Sequence, residues 1–232
     1  MQLFVGKIEE NHAFLLEEES KHAQKVLRKK MGDFIFVTNG LGKIVGGTIT
    51  SINKNQLIIS VEKEMEDYQK RPYHLHVAMA PTKNIDKFEF FLEKATEIGI
   101  DQITPLLTEN SERKNINLER LNKIIVSAAK QSLKSTFPIL HSLTTYSDFL
   151  NQNNKKMIYL AHCHKETDRM DIKNLSLNEK EIIFLIGPEG DFSLPEIDKA
   201  KKLNTQFVSL GNQRLRTETA GIFVASVVNV LS

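Results

Sequence analysis

The last fifty residues of the chain show the clearest pattern of apolar and polar positions. Two short apolar runs, 182–186 and 207–210, are bounded by turn residues, and each is followed closely by a glycine, Gly187 or Gly211. Continuous apolar runs of about five residues are typical of buried strands in a parallel sheet. An apolar helix ending near Leu231 is predicted after the second run. Ligands of open α/β sheets bind outside the carboxyl ends of the strands, so the two loops after these runs are the predicted site.

In the region before these strands, segments with the apolar pattern of strands alternate with segments that have the apolar pattern of helices. Strands are predicted at 74–80, 102–107 and 155–161, and helices at 86–99, 117–135 and 195–203. The predicted buried positions of the first two helices are Phe88, Phe91, Leu92, Ala95 and Ile98, then Leu121, Ile125, Ala129 and Leu133. Strands that alternate with helices predict an α/β domain with a parallel sheet.

The first 70 residues carry a different pattern, with β-branched runs at 34–37, 43–51 and 56–61. Turn residues separate these runs, which predicts a small β-rich domain. One helix is predicted from Ser20, as its N-cap, to Met31. Residues 62–72 are charged and read as a linker. We therefore predict two domains, residues 1–70 and 71–232.

Two sets of basic residues recur at helical spacing. They are Lys21, Lys25, Arg28 and Lys29 in the first domain, and Arg120, Lys123, Lys130 and Lys134 on the long helix of the second. Such a stripe is either a solvated face or a surface that contacts phosphates. The pattern alone leaves both interpretations open.

Composition narrows the class of protein. Of 232 residues, 41% are hydrophobic and 26% are charged, as in ordinary globular proteins. The net charge of +2 is too small for a uniformly basic nucleic-acid binder, so any RNA affinity must come from local patches. A single cysteine argues against a disulfide framework. With no leader pattern and no apolar run of membrane length, we expect a cytoplasmic protein with no membrane partner.

Two arginines precede the last predicted helix. Thr217 is its predicted N-cap and Glu218 lies in the favoured first turn, whereas Arg214 and Arg216 place cations beside the positive end of the helix dipole. This placement is favourable if an anion or a developing negative charge lies nearby. The alternative is two solvated arginines on a loop.

The two C-terminal motifs, read together, resemble a known family. Ile-Gly-Pro-Glu-Gly at 186–190 and Leu-Gly-Asn-Gln-Arg-Leu-Arg-Thr-Glu-Thr-Ala at 210–220 are similar to the RsmE family of ribosomal-RNA uridine methyltransferases, which belong to the trefoil-knotted SPOUT class. The resemblance covers nearly the whole chain. Two departures are visible: Asp191 stands where a second glycine is common, and Arg214 where an aliphatic residue is usual.

The resemblance implies an S-adenosylmethionine-dependent enzyme, a 16S rRNA methyltransferase acting on N3 of uridine 1498. Backbone and apolar groups of the two loops would bind the cofactor. The implied cofactor residues are Leu185, Ile186, Gly187, Pro188, Glu189, Gly190, Leu210, Gly211, Leu215 and Ala220. Arg216 is the first candidate to stabilise the negative charge of a deprotonated uracil, and Glu218 or Glu189 would accept the proton.

The resemblance also implies a PUA-like RNA-binding β-barrel in the first domain, where His22, Val26-Leu27-Arg28 and Gly32-Asp33 match the family pattern. The second domain would be the knotted catalytic domain of a homodimer, with 16S rRNA of the small ribosomal subunit as partner. Further matches are Lys83, Lys94, Glu97, Gln131-Ser132 and Lys134, although Lys94 and Glu97 also suit a surface ion pair. The implied RNA-binding residues are Lys21, Lys25, Arg28, Lys29, Lys83 and Lys134.

Other functional signals are weak. His162, Cys163 and His164 with Asp168 have metal-binding side chains, but no second cluster completes a tetrahedral set, and we predict no metal. Dinucleotide, Walker and hydrolase motifs are missing from the sequence. The rival interpretation is a non-catalytic RNA-binding protein that retains the fold. The intact motifs at 187–190 and 216–220 argue against it.

Overall fold

The computed structural model describes residues 2–53, 56–66, 70–164, 168–175 and 180–231. Contacts divide the chain into two compact units: Met1–Lys70 with Val126–Phe137, and Arg71–Ile125 with Pro138–Ser232. The contacts thus add Val126–Phe137 to the first unit. The functional boundary near residue 70 stays a prediction.

The first unit is built on a six-stranded sheet in the order β1-β4-β5-β6-β3-β2. Its strands are β1 (Leu3–Val5), β2 (Lys7–Ile8), β3 (His12–Leu15), β4 (Phe34–Thr38), β5 (Lys43–Ile52) and β6 (Leu57–Glu66). The pairs are antiparallel except β1 with β4. One face packs around a core that includes Phe4, Leu15, Ile35, Val37 and Ile59.

Gly6 lies where the chain passes from one edge of this sheet to the other. It separates β1, which pairs with β4 at one edge, from β2, which pairs with β3 at the other. A Cβ at Gly6 would lie 2.4 Å from the backbone oxygen of Phe14 and 2.8 Å from Val37. Only glycine fits this corner, where a side chain would collide with the neighbouring strands.

The helix of the first unit differs from the prediction. It begins earlier, as α1 (Glu17–Lys21), and continues as a π-helical turn, His22–Val26. Ser20 is therefore not an N-cap; its buried hydroxyl donates to the backbone oxygen of Leu15. The helix ends before Arg28, which has a φ of +52°. The predicted linker was also wrong in its first part, because β6 runs to Glu66.

The second unit contains an all-parallel sheet in the order β10-β8-β7-β13-β11-β14-β12, with β9 also paired to β8. Its strands are β7 (His74–Met79), β8 (Gln102–Leu107), β9 (Ile139–Leu140), β10 (Thr144–Thr145), β11 (Ile158–Ala161), β12 (Met170–Asp171), β13 (Glu181–Ile186) and β14 (Thr205–Ser209). This confirms the predicted α/β class with a parallel sheet.

Helices cover both faces of this sheet. They are α2 (Ile85–Ile98), α3 (Leu118–Gln131), α4 (Tyr146–Gln152), α5 (Leu194–Lys201) and α6 (Thr217–Val230), with a short 3₁₀ turn at Ile172–Asn174. The central strand β13 alternates its side chains between the two layers: Phe184 joins the core that α2 and α6 complete, and Leu185 joins the core under α4 and α5.

The helix ends follow ordinary capping chemistry at three sites. The side chain of Asn84 caps α2, that of Thr145 caps α4, and Ser193 forms a reciprocal capping box with Glu196 on α5. Helix α3 ends at Gln131, four residues before the predicted end, and Leu133 has a φ of +57°. Lys134 therefore lies outside the helical stripe predicted for it.

Candidate functional site

A cavity of about 380 Å³ opens at the carboxyl ends of β11, β13 and β14. Three neighbouring parallel strands end at the same edge of the sheet, so the loops that follow them meet there. The lining residues are Lys87, Ala161, His162, Cys163, Arg169, Ile186, Gly187, Pro188, Glu189, Asp191, Ser209, Leu210, Gly211, Gln213, Arg214, Leu215, Arg216, Thr217, Glu218 and Ala220.

One wall is the loop of residues 187–193, called here the Gly-Pro loop. The backbone N–H of Asp191 donates to the oxygen of Pro188 at 2.9 Å, which closes a tight turn directly after β13. A Cβ at Gly187 would lie 3.2 Å from the ring of Phe192, so a larger residue there would crowd both the loop and the cavity. Ser193 then caps α5, which fixes where the loop ends.

The opposite wall is the loop of residues 210–216, called here the arginine loop. Gly211 has a φ of +114°, a conformation that favours glycine. Apart from its chain neighbours, no described residue has an atom within 4 Å of the place where its Cβ would lie. The N-cap of α6 is Arg216, with extended backbone and no side-chain cap. Thr217 was wrongly predicted as the N-cap; it is the first helical residue and is buried.

The charged side chains of the cavity differ in whether they have a partner among the described residues. Within the described residues, the guanidinium of Arg216 has neither a hydrogen-bond nor an ion-pair partner, although it lies at the positive end of α6. Glu218 is only 9% exposed and lies in the first turn of α6, where the helix dipole stabilises a carboxylate. Glu189 is engaged elsewhere, because its Oε1 accepts from the backbone N–H of Lys83 at 3.2 Å.

Residues 162–164, called here the third loop, complete the cavity together with Arg169. Arg169 donates from Nη1 to the backbone oxygen of His162 at 2.6 Å. His162 is 5% exposed, and burial lowers its pKa to about 4, so its ring is neutral at physiological pH. Its Nδ1 accepts from the backbone N–H of His164, which leaves the proton on Nε2. That buried Nε2 has no partner among the described residues.

The structure brings together most of the residues predicted to bind a cofactor. Eight line the cavity: Ile186, Gly187, Pro188, Glu189, Leu210, Gly211, Leu215 and Ala220. Leu185 does not, because it points into the core under α4 and α5. Gly190 does not either, and its backbone oxygen accepts from Asn110. The predicted catalytic residues Arg216 and Glu218 both line the cavity.

The sequence analysis did not predict the third loop as a wall of the cavity. His162, Cys163 and His164 were considered only as metal ligands, and the sequence before Arg169 gives no periodic signal. The order of strands was the missing information, because it places β11 between β13 and β14. No group of three or more His, Cys, Asp or Glu in the described part of the chain is arranged to hold a metal ion.

The residues predicted to bind RNA are more dispersed. Lys21 pairs with Glu17 at 2.5 Å on α1, while Arg28 and Lys29 lie beyond the helix, so the four basic residues of the first unit do not form one helical stripe. In the second unit, Lys83 pairs with Glu112 at 2.8 Å. The long helix carries its own ion pairs, including Arg120 with Glu89.

Within the described ranges, no helix is both long enough and apolar enough to cross a membrane. The expected cytoplasmic location stays a prediction.

Comparison with known proteins identifies the family. Residues 69–229 match the RNA methyltransferase domain and residues 15–62 match the RNA methyltransferase PUA domain. A ribosomal RNA small subunit methyltransferase E from Rickettsia conorii is 34% identical over 214 residues, which are 90% of this chain and 86% of that protein.

Solved structures agree with the sequence match. A probable rRNA-methyltransferase from Porphyromonas gingivalis superposes with a TM-score of 0.90 at 32% identity, covering 100% of this chain and 98% of that one. A Legionella pneumophila protein described as a methyltransferase, in complex with the bound cofactor SAM, gives a TM-score of 0.86 at 26% identity and covers 98% and 96% of the two chains. The chain therefore belongs to the ribosomal RNA small subunit methyltransferase E family, with a PUA domain before its RNA methyltransferase domain.

Proposed function

We propose that this protein transfers a methyl group from S-adenosylmethionine to N3 of uridine 1498 in 16S ribosomal RNA. The observation that carries the proposal is the cavity at the ends of β11, β13 and β14. It combines glycine-containing loops with a buried carboxylate and with an arginine that has no partner among the described residues. Family membership supports the reaction class and the nature of the RNA.

The residues of the cavity fit the cofactor. Apolar side chains of Ile186, Leu210 and Leu215 suit the faces of the adenine ring. The buried Nε2–H of His162 has no acceptor among the residues that the structure describes, so it can donate to a ligand. Gly211 leaves open space beside the backbone that a ligand can occupy. When bound, the sulfonium supplies an electrophilic methyl group.

The chain's own residues prepare the uridine. N3 of uracil is nucleophilic only after it loses its proton, and the negative charge then spreads onto the flanking carbonyl oxygens. We assign to Arg216 the stabilisation of that charge, because its guanidinium lies at the cavity and has no partner in the part of the chain that the structure describes. Glu218 is the better proton acceptor, directly or through a water, since Glu189 already accepts from Lys83.

The remaining assignments belong to the same proposal. Residues 1–70 bind RNA as a PUA-like barrel, and residues 71–232 form the catalytic domain with the trefoil knot of the SPOUT class. Phosphate contacts are assigned to Lys21, Lys25, Arg28, Lys29, Lys83 and Lys134. The protein works in the cytoplasm as a homodimer. Exposed apolar side chains on α6, Phe223 and Val230, support burial of that helix by a second copy.

Two measurements on the purified protein test the proposal. Calorimetric titration with S-adenosylmethionine should show saturable binding, and small ribosomal subunits that lack the modification should accept labelled methyl groups. A protein that bound RNA but neither bound the cofactor nor transferred a methyl group would be the non-catalytic RNA-binding protein instead. Gly187→Val should weaken cofactor binding by crowding the Gly-Pro loop.

A further inference from the structure

Asp191 has an unusual backbone conformation for a residue with a side chain. Its φ is +61°, in the left-handed region that glycine adopts without cost and that aspartate tolerates better than most residues. It lies in the Gly-Pro loop and lines the cavity. A residue held in this region needs compensating interactions, and its carboxylate supplies them.

Both carboxylate oxygens of Asp191 accept backbone hydrogen bonds. Oδ1 accepts from the N–H of the next residue, Phe192, at 2.8 Å, which is a local contact. Oδ2 accepts from the N–H of Cys163 at 2.7 Å, and Cys163 lies 28 positions earlier in the third loop. The second bond joins two walls of the cavity, and nothing in the local turn requires it. Bonds from N–H groups to a carboxylate are stronger than those between neutral groups.

Neighbouring contacts strengthen this connection. His164 Nε2 lies 2.7 Å from the backbone oxygen of Phe192, which can only accept, so the histidine donates. On the other side, Asn110 donates from Nδ2 to the backbone oxygen of Asp191 at 3.1 Å. The Gly-Pro loop is thus bonded to the loop after β11 and to the loop after β8. Asp191 is the residue common to both sets of contacts.

We propose that Asp191 is a positioning residue for the cofactor cavity, and that its carboxylate holds the third loop against the Gly-Pro loop before the cofactor binds. The inference rests on the proposed function for the identity of the ligand. A preorganised wall binds its ligand without first ordering two loops, so the link contributes to affinity. Asp191 itself takes no part in the methyl transfer.

A purely local role is the alternative. Asp191 would then serve only to stabilise its own turn, through Oδ1 and its tolerance of positive φ. Asp191→Gly separates the two roles, because glycine accepts the backbone conformation freely and removes only the carboxylate. Asp191→Asn keeps one acceptor oxygen but presents an NH₂ group to one of the two N–H donors.

Cys163 provides a direct reporter of the link. It is the only cysteine in the sequence, its side chain is exposed, and it lines the cavity. The rate at which a maleimide labels this thiol, without any ligand, measures how well the third loop is held. We expect labelling of Asp191→Gly to be several-fold faster than that of the wild type, with Asp191→Asn in between. Asp198→Asn, on the exposed surface of α5, is the matched control and should label at the wild-type rate.

Cofactor titration completes the test. The dissociation constant and the KM for S-adenosylmethionine should rise about tenfold in Asp191→Gly, the effect expected when one bond to a charged group is removed, while kcat at saturating cofactor changes much less. Wild-type labelling rates together with wild-type cofactor affinity in Asp191→Gly would overturn the inference. If the wild type itself bound no cofactor, the proposed function would fail, and the labelling rates would still decide whether Asp191 holds the loops.

Discussion

Arg216 is the residue on which the proposed chemistry depends most. It occupies the N-cap of α6 without a capping bond and without a partner among the described residues, so its charge is uncompensated until a ligand binds. The sulfonium of the cofactor is itself positive and is a poor partner for arginine. A uracil approaching its deprotonated state is a good one.

Arg216→Ala should therefore lower kcat by about a hundredfold to a thousandfold, as when one preorganised charge-stabilising donor is removed. Cofactor affinity should change little. Arg216→Lys should restore part of the rate, because lysine keeps the charge but not the forked geometry. Arg214→Ala, on the same loop, is the comparison and should lower kcat by a smaller factor. Single-turnover methylation, with a cofactor titration of each variant, measures both quantities; an equal loss of affinity and rate would remove Arg216 from this role.

His76 makes stability depend on pH. Burial, followed by the charges of His141 and Lys156, lowers the pKa of His76 to about 4 in the folded protein, against 6.5 in the unfolded chain. Between these values the unfolded chain binds a proton that the folded protein does not. The free energy of unfolding is thus unaffected by His76 above pH 6.5, and it decreases as the pH falls from 6.5 towards 4.

Thermal unfolding at about pH 7 and about pH 5 tests this dependence. The loss of stability on acidification should be smaller in His76→Gln, which cannot titrate but can still bond Thr104, the partner of His76 at 2.8 Å. Between these two pH values the difference in unfolding free energy should not exceed about 2 kcal/mol, because only about 1.5 pH units of the interval lie below the unfolded pKa and each is worth about 1.4 kcal/mol. His12→Gln, at an exposed position of the first unit, is the control. An unchanged pH dependence in His76→Gln would contradict the assignment.

Among the elements, α2 and α6 approach each other closely at Gly221. A Cβ at this position would lie 2.6 Å from the ring of Phe91 and 2.8 Å from the sulfur of Met79, both buried. Gly221→Ala should destabilise the protein by about 1–3 kcal/mol through overpacking, although alanine favours a helix by about 1 kcal/mol. Chemical denaturation measures this change, with Thr219→Ala on the exposed side of α6 as the control. A stabilised Gly221→Ala would show that the helices separate readily.

The elements also show what sequence patterns can predict. β13 and β14 were predicted to within two residues, because buried parallel strands are continuous apolar runs. The predicted β6 ended too early, at residue 61, because residues 62–66 are mostly charged (Glu-Lys-Glu-Met-Glu). Lys43 of β5 pairs with Glu64 in this half of the strand. β1, β2 and β3 are two to four residues long and were missed.

The sequence predicted only those parts of the candidate site that carry a local signal. The Gly-Pro loop and the arginine loop carry local signals, glycines after strands and arginines before a helix. The third loop has no such signal, and its place beside the others follows from strand order, which is a property of the folded sheet. The proposed role of Asp191 likewise depends on its hydrogen bond with Cys163, which lies 28 positions earlier in the sequence.

For the whole molecule, RNA affinity must come from local basic patches, because the net charge is only +2. We expect Lys25→Glu with Lys29→Glu to weaken RNA binding and to reduce the dependence of log affinity on log salt by somewhat under one for each phosphate that is no longer neutralised. Cofactor affinity should stay at the wild-type value. Filter binding over a range of salt concentrations measures the slope, and Lys201→Glu with Lys202→Glu, at the exposed end of α5, is the matched double charge reversal. A slope equal to that of the wild type would show that these lysines are solvated and do not contact phosphates.

The most direct test of the proposed function is the modification state of 16S rRNA in cells that lack this protein. Mass spectrometry of the fragment that contains uridine 1498 should show loss of the N3-methyl group in the deletion strain. A plasmid that encodes the wild type should restore the modification, and one that encodes Arg216→Ala should not. A methyl group still present at this uridine in the deletion strain, or one missing from a different nucleotide, would contradict the proposed substrate.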